Sequence, residues 1–148
     1  RSREQILDAA HAKNAVDFLR KLRKDLDDRQ PFADVVTDAV MYVIEESPKQ
    51  PLFNINVHGD MAMQVGVRYF TAEEAVVEWV QTFRPAYIRA LQLRTINPAI
   101  QLEEIIEFIG RIGLSYLQHP RAGHYDLPPL RTTIRNCFTN ALLYEPKV

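Results

Sequence analysis

The histidines and the cysteine of this sequence are the side chains best suited to metal binding or nucleophilic chemistry. Asp8 and His11 have the D-x-x-H spacing that places a carboxylate and an imidazole on one face of a helix. A carboxylate-bridged metal pair needs two such units and two further Glu residues facing inward, and the sequence has no second unit. His119 and His124 flank a loop containing Pro and Gly, with no cysteine or third ligand nearby in sequence. We therefore expect a solvated turn there and no metal site.

A second group of polar side chains alternates with apolar ones between residues 52 and 63. The group comprises Asn54, Asn56, His58 and Asp60. These side chains can orient the polar end of a small ligand, or they can belong to an ordinary surface loop. Both interpretations are compatible with the residue types alone.

Cys137 is the only cysteine, which excludes an intrachain disulfide and agrees with a reducing compartment. Its place beside Phe138 in an amphipathic segment favours a small apolar filler over a nucleophile. The sequence contains neither a Gly-rich phosphate loop nor a G-x-S-x-G motif. We therefore expect a protein that is not an enzyme and that uses no metal and no cofactor.

The composition, 47% hydrophobic and 25% charged over 148 residues, is typical of one globular domain with its own core. A net charge of -1 argues against a broad nucleic-acid-binding surface in these residues, because duplex binding needs a basic patch. The main basic cluster, at residues 20–24, is followed by three aspartates, which predicts a solvated helix face. No apolar run approaches the ~18 residues that span a bilayer, and no signal-peptide pattern opens the chain. We expect a cytoplasmic protein without membrane contact.

Residues 97–118 are predicted to form a long helix around which the rest of the chain is organised. Asn97 is suited to the N-cap, Pro98 to the first helical position, and Pro120 ends the pattern. Two apolar stripes run along this helix, one through Ile105, Ile109, Ile112 and Tyr116, and one through Leu102, Ile106, Gly110, Gly113 and Leu117. Glycine is costly inside a helix, so the two glycines indicate a place where another backbone comes close.

The last helix is predicted in the segment LPPLRTTIRNCFTNALL, and it also carries an apolar stripe. Two adjacent helices with such faces favour a four-helix bundle formed with the same helices of a second copy. The predicted dimer interface comprises Ile105, Ile109, Ile112, Tyr116, Ile134 and Phe138. A central core helix in a monomer is the alternative that the stripes leave open.

The remaining pattern predicts helices over residues 16–27, 32–46 and 71–94. A capping box at residues 71–74 begins the third of these, and Pro85 is expected to kink it. Residues 52–63 alternate like a strand, but no partner strand exists, so we expect a short helix or an irregular turn. Near Ala10 the pattern of the first helix goes out of phase with residues 14–16. The fold class is therefore all-α, with roughly seven helices.

Three segments resemble the tetracycline-repressor (TetR) family of bacterial transcription regulators. RSREQILDAA resembles the start of the family's first helix, and AVDFLRKLRKDLDD with the following helix and SPKQPLF resembles the connecting helix and the entry to the regulatory domain. FRPAYIRALQLRTINPAIQLEEIIEFIGRIGLSYL is similar to the family's penultimate region, in which Arg111 and Ser115 match a recurrent pair. The family's helix-turn-helix, on the order of 40 residues with its flanks, has no counterpart.

The resemblance implies two parts, a fragment of the DNA-binding domain at residues 1–10 and a ligand-binding and dimerisation domain at residues 14–148. We hypothesise that the residues of a DNA-binding head are missing between Ala10 and Asn14, where the phase changes. The alternative is a headless variant, an all-α module that binds a small molecule or a protein but no DNA.

The resemblance also implies a homodimer whose heads bind operator DNA and respond to a small hydrophobic ligand, most simply as a repressor. The implied ligand pocket is lined by Val36, Val40, Phe53, Val57, His58, Trp79, Phe83 and Tyr87. Ligand binding would shift the kinked helix and the connecting helix and change the spacing of the two heads.

Overall fold

A computed structural model of the protein describes residues 2–50, 72–118 and 127–142. These residues form five α-helices and one 3-10 turn, and they include no strand, so the predicted all-α class is confirmed. The helices are α1 (Arg3–Asp25), α2 (Phe32–Glu46), α3 (Glu73–Gln92), α4 (Leu102–Gln118) and α5 (Leu127–Leu142), with the 3-10 turn at Ser47–Lys49. None of these helices combines the length and apolar character needed to cross a bilayer.

The count in the described residues differs from the predicted seven because α1 is a single helix without the break expected near Ala10. It begins with a capping box in which the Ser2 hydroxyl accepts from the Gln5 amide and the Gln5 side chain accepts from the Ser2 amide. Its buried positions keep one regular helical phase and comprise His11, Ala15, Phe18, Leu19 and Leu22. The sequence pattern goes out of phase only when His11 is counted as polar. The segment predicted at residues 52–63 lies outside the described residues.

The central helix is α2 rather than the segment at residues 97–118. Nine of the 15 residues of α2 are buried, and it packs against α3, α4 and α5. A helix buried on nearly all sides has an almost continuous apolar sequence, which explains the richness of α2 in valine and isoleucine. The other pairings are α1 with α3 and α3 with α4.

Helix α4 begins at Leu102, five residues later than its sequence pattern indicated. The Asn97 side chain accepts a hydrogen bond from the Ala99 amide at 3.0 Å, so it stabilises a turn instead of capping a helix. The Glu104 carboxylate accepts from the Gln101 amide at 2.9 Å and thereby satisfies one donor at the true helix start. A Cβ added at Gly113 would lie 3.1 Å from Val43 Cγ1. The close approach at this glycine is therefore to a side chain of α2 and not to a backbone.

Helix α3 starts after Ala72, which makes no side-chain cap, so the predicted capping box does not begin it. Pro85 lies inside this helix as expected. At its C-terminus the Arg94 amide donates to the Leu91 carbonyl and the Thr95 amide to the Ala90 carbonyl. This is the Schellman arrangement, and Arg94 occupies its left-handed position with φ of 55°. A residue with a Cβ is strained there.

An ion-paired carboxylate joins α1 to α3. Glu78 is almost fully buried, and its carboxylate lies 2.9 Å from Arg20 Nε and 3.4 Å from an Arg23 guanidinium nitrogen. The Arg23 guanidinium also donates to the Gln81 side chain at 2.8 Å. The basic residues of the cluster at residues 20–24 are exposed, as predicted for a solvated helix face, and two of them also anchor the helix through Glu78.

We expect Glu78→Gln to lower the free energy of unfolding by about 1–3 kcal/mol, because it removes charge-assisted bonds around a buried carboxylate. The matched control is Glu107→Gln, which breaks the exposed i,i+4 pair with Arg111 and should cost under about 0.5 kcal/mol. Urea titration of both variants measures the two values. Equal effects would mean that the buried pair contributes no more than a surface pair.

We expect Arg94→Gly to stabilise the protein by about 0.5–1 kcal/mol, because glycine adopts the left-handed conformation without strain. Arg84→Gly, at an exposed site inside α3, should instead destabilise by about 1 kcal/mol, because glycine is unfavourable within a helix. Thermal unfolding of the two variants should shift in opposite directions. A loss of stability in Arg94→Gly would show that its side-chain contacts outweigh the backbone strain.

Candidate ligand-binding site

A pocket of about 290 Å³ lies where the connection between α1 and α2 meets the C-terminal ends of α3 and α5. Its apolar surface comprises Phe32, Ala33, Ala86, Ala90, Leu93, Ile96 and Leu142. The polar residues around it are Arg29, Gln30, Arg89, Thr95, Arg135 and Thr139. A concave apolar site with a few polar groups is the usual form of a small-molecule pocket, and this volume is at the small end of the range.

The three arginines of the pocket come from separate parts of the chain and have different partners. Arg135 makes two bonds to the Asp34 carboxylate, at 2.5 and 3.3 Å, and this carboxylate raises the pKa of the guanidinium. Arg89 donates to the Gln30 carbonyl at 2.6 Å. The Arg29 amide is bonded to Asp27, but the Arg29 guanidinium makes no bond or ion pair within the described residues. The guanidiniums of Arg89 and Arg135 are therefore held in place by hydrogen bonds, whereas that of Arg29 has no partner among the described residues.

A polar network fixes the side of the pocket formed by α2. The Gln30 side chain donates to Asp38 at 2.5 Å, and Asp38 also pairs with Arg131 of α5. Through Gln30 this network reaches Arg89 of α3. At the α5 side, the Thr139 hydroxyl is buried and has no hydrogen-bond partner among the described residues. Buried hydroxyls are normally bonded, so a hydroxyl without a partner beside a pocket is unusual.

The described residues that were predicted to bind ligand lie outside this pocket. Val36, Val40, Trp79 and Phe83 are each at most 1% exposed in the core, and the Trp79 and Phe83 rings stack with centroids 5.7 Å apart. Tyr87 is half-buried and its hydroxyl donates to the Ile100 carbonyl at 2.8 Å. Phe53, Val57 and His58 lie outside the described residues. The binding role of this set therefore stays a prediction, and none of its described members lines the pocket above.

The residues predicted to form a dimer interface are largely covered by their own chain. Ile105, Ile109, Ile134 and Phe138 are buried, and Ile112 and Tyr116 are partly buried. The large apolar side chain that α4 exposes is Phe108, which is 49% exposed and contacts the Phe138 ring edge-on. The dimer interface stays a prediction, and a second copy would meet Phe108 before it met the buried isoleucines.

The described residues considered for metal or nucleophilic chemistry include Asp8 and His11, which lie one turn apart on α1. No three His, Cys, Asp or Glu side chains of the described residues lie close enough together to hold a metal ion. His58, His119 and His124 lie outside those residues. Cys137 is exposed, so its interpretation as an apolar filler is wrong. The other outward positions of α5, such as Asn136 and Asn140, are exposed as well.

No stretch of the sequence signals this pocket directly, because its residues come from three separate segments. Arg29, Arg89 and Arg135 each look like a solvated charge when read along the chain. One local signal is present, the Arg29-Gln30-Pro31 sequence that ends one helix and starts the next, since such junctions often carry function. Comparison with known proteins adds nothing to the assignment: no family model, curated protein or solved structure matches this chain.

Buried His11 gives a testable pH dependence. It is 5% exposed, its Nδ1 has no hydrogen-bond partner in the described residues, and burial lowers its pKa from the ordinary value of 6.5. The unfolded chain therefore binds a proton more readily than the folded protein, so stability falls as the pH drops below about 6.5. The variant His11→Gln should lose less stability than the native sequence between pH 7.5 and pH 5. Parallel stability profiles would contradict a buried neutral imidazole at this position.

Proposed function

We propose that this chain is the ligand-binding and dimerisation part of a TetR-like, ligand-responsive transcription regulator. In this proposal the protein is a homodimer that represses by binding operator DNA through a separate DNA-binding head. A small molecule that binds the helical domain releases the DNA. The ligand is mainly apolar, in keeping with the surfaces available inside a helical domain.

The observation that carries the proposal is the division of α1 into two unlike parts. Its C-terminal half is buried and held to α3 by the bonds from Arg20 and Arg23 to Glu78. Near its N-terminus, Ile6 and Leu7 are 57% and 40% exposed, although they are the apolar core of the segment that resembles the first helix of the family. Adjacent exposed apolar side chains favour a further packing partner. The resemblance to the TetR family implies that this partner is a DNA-binding head.

The position of the pocket supports a ligand-dependent response. Residues 29–32 line the pocket and lie between the end of α1 at Asp25 and the start of α2 at Phe32. Arg89 of α3 holds this connection through the Gln30 carbonyl, and α3 is also the helix that anchors α1 through Glu78. A ligand that shifts Arg89 or the connection would thus act on both attachments of α1. A coupling of ~1–3 kcal/mol is typical for such a response.

One observation favours a second candidate, a headless helical module that binds a small molecule and no DNA. Helix α1 runs without interruption through Ala10 and Asn14, between which the hypothesis places the missing head. In this alternative, Ile6 and Leu7 contact a protein partner. The two candidates share the pocket and differ only in DNA binding.

DNA binding separates the two candidates. We expect the polypeptide encoded by the natural gene to shift its own upstream DNA, with an affinity that falls steeply as salt is raised. The 148-residue chain, with its net charge of -1, serves as the control and should give no specific shift. If the natural polypeptide gives no specific shift at low salt, the regulator proposal fails and the headless module replaces it.

A further inference from the structure

We propose that the pocket between the α1–α2 connection, α3 and α5 binds a compact carboxylate, an organic acid whose apolar body is about the size of one ring. The inference deepens the proposed function by naming the chemical class of the ligand, and it rests on that function for the purpose of the pocket. It differs from the predicted ligand pocket, whose members Val36, Val40, Trp79 and Phe83 are packed core residues.

The charges around the pocket select an anion. Three arginines line it, and no aspartate or glutamate is among the lining residues. Asp34 lies outside the pocket lining and its carboxylate pairs with Arg135. The Asp27 carboxylate accepts a hydrogen bond from the backbone amide of Arg29 and not from its guanidinium. Arg89 is bonded to a neutral carbonyl and keeps its full charge. The pocket therefore retains an excess of positive charge next to an apolar surface, which favours a negative group over a neutral one.

The hydrogen-bonding capacity indicates a carboxylate. A guanidinium has five N–H donors in a planar fork that matches a carboxylate. Arg89 uses one of these donors on Gln30 and Arg135 uses two on Asp34, so both retain donors. Arg29 retains all of its donors within the described residues. The buried Thr139 hydroxyl supplies one more donor without a partner there.

The apolar surface and the volume limit the remainder of the ligand. Phe32, Ala86, Ala90, Ile96 and Leu142 are buried and present carbon atoms to the pocket. Two of these five are alanines on successive turns of α3, which leave space for a flat group beside that helix. A volume of about 290 Å³ accommodates a single ring or a short branched chain, not a large drug-like molecule. An aromatic or short branched carboxylic acid satisfies both limits.

The test is a titration of this chain with phenylacetate and with its neutral isostere phenylacetamide, followed by NMR of the backbone amides and by calorimetry. We expect saturable binding of the acid, at least about tenfold tighter than the amide, because each charge-assisted bond contributes strongly in a desolvated site. The largest shifts should fall on Ala33, Ala90 and Ile96. Equal affinity for the two compounds, shifts outside the pocket, or no saturation at millimolar concentration would overturn the proposal.

Variants locate the contacts. Arg29→Gln should weaken phenylacetate binding about tenfold and leave phenylacetamide binding unchanged. Thr139→Val, which preserves the side-chain shape, should weaken phenylacetate binding less than Arg29→Gln does. Arg84→Gln is the matched control, since Arg84 is an exposed arginine of α3 that does not line the pocket. If Arg84→Gln and Arg29→Gln weaken binding equally, the effect is one of overall charge and the proposed contact is wrong.

The titration uses the chain alone, so its outcome does not depend on DNA binding. Binding of the acid without any DNA shift by the natural polypeptide would leave the carboxylate site intact and remove the regulator function. A DNA shift together with equal binding of the acid and the amide would leave the regulator function intact and remove the carboxylate site.

Discussion

The attachment of α1 to the rest of the molecule depends on one buried carboxylate. Glu78 of α3 lies against Arg20 and Arg23, and Ala15, Leu19 and Leu22 of α1 are buried in the core. Burial of such a charge is unfavourable without partners, so the carboxylate and both guanidiniums must be placed together. This requirement fixes the rotation of α1 about its own axis as well as its position on α3, which apolar packing alone specifies less strictly.

The same helix, α3, also contacts the chain just after the C-terminal end of α1. Its Arg89 bonds the Gln30 carbonyl, and Gln30 in turn bonds Asp38 of α2, which pairs with Arg131 of α5. Gln30 and Arg89 of this network line the pocket, and so does Arg29, whose guanidinium has no partner among the described residues. A ligand anion bound through the remaining donors of Arg89 would act on the same guanidinium that holds the connection between α1 and α2. In our proposal this shared guanidinium is how the ligand acts on α1.

The sequence was sufficient for the fold class, because helical periodicity and helix-ending residues are local signals. It was insufficient where tertiary context decides. Asn97 and Pro98 look like a helix start, yet Asn97 bonds Ala99 within a turn. His11 looks polar but lies in the core, which creates an apparent break in α1. The pocket escapes sequence reasoning because Arg29, Arg89 and Arg135 line one site only after the helices pack. Trp79 and Phe83 are not among the residues that line it, and their rings stack against each other in the core.

Amide hydrogen exchange along α1, measured with and without phenylacetate, tests most directly whether occupancy of the pocket is transmitted to α1. Local opening of a helix is reported by exchange rates, and a bound ligand changes them where it is coupled. We predict altered exchange at the amides of Arg29, Gln30 and Phe32 and through the buried half of α1, from Ala15 to Leu22, with α4 unchanged. Exchange that changes only at the pocket lining, with α1 unaffected at saturating acid, would contradict the account.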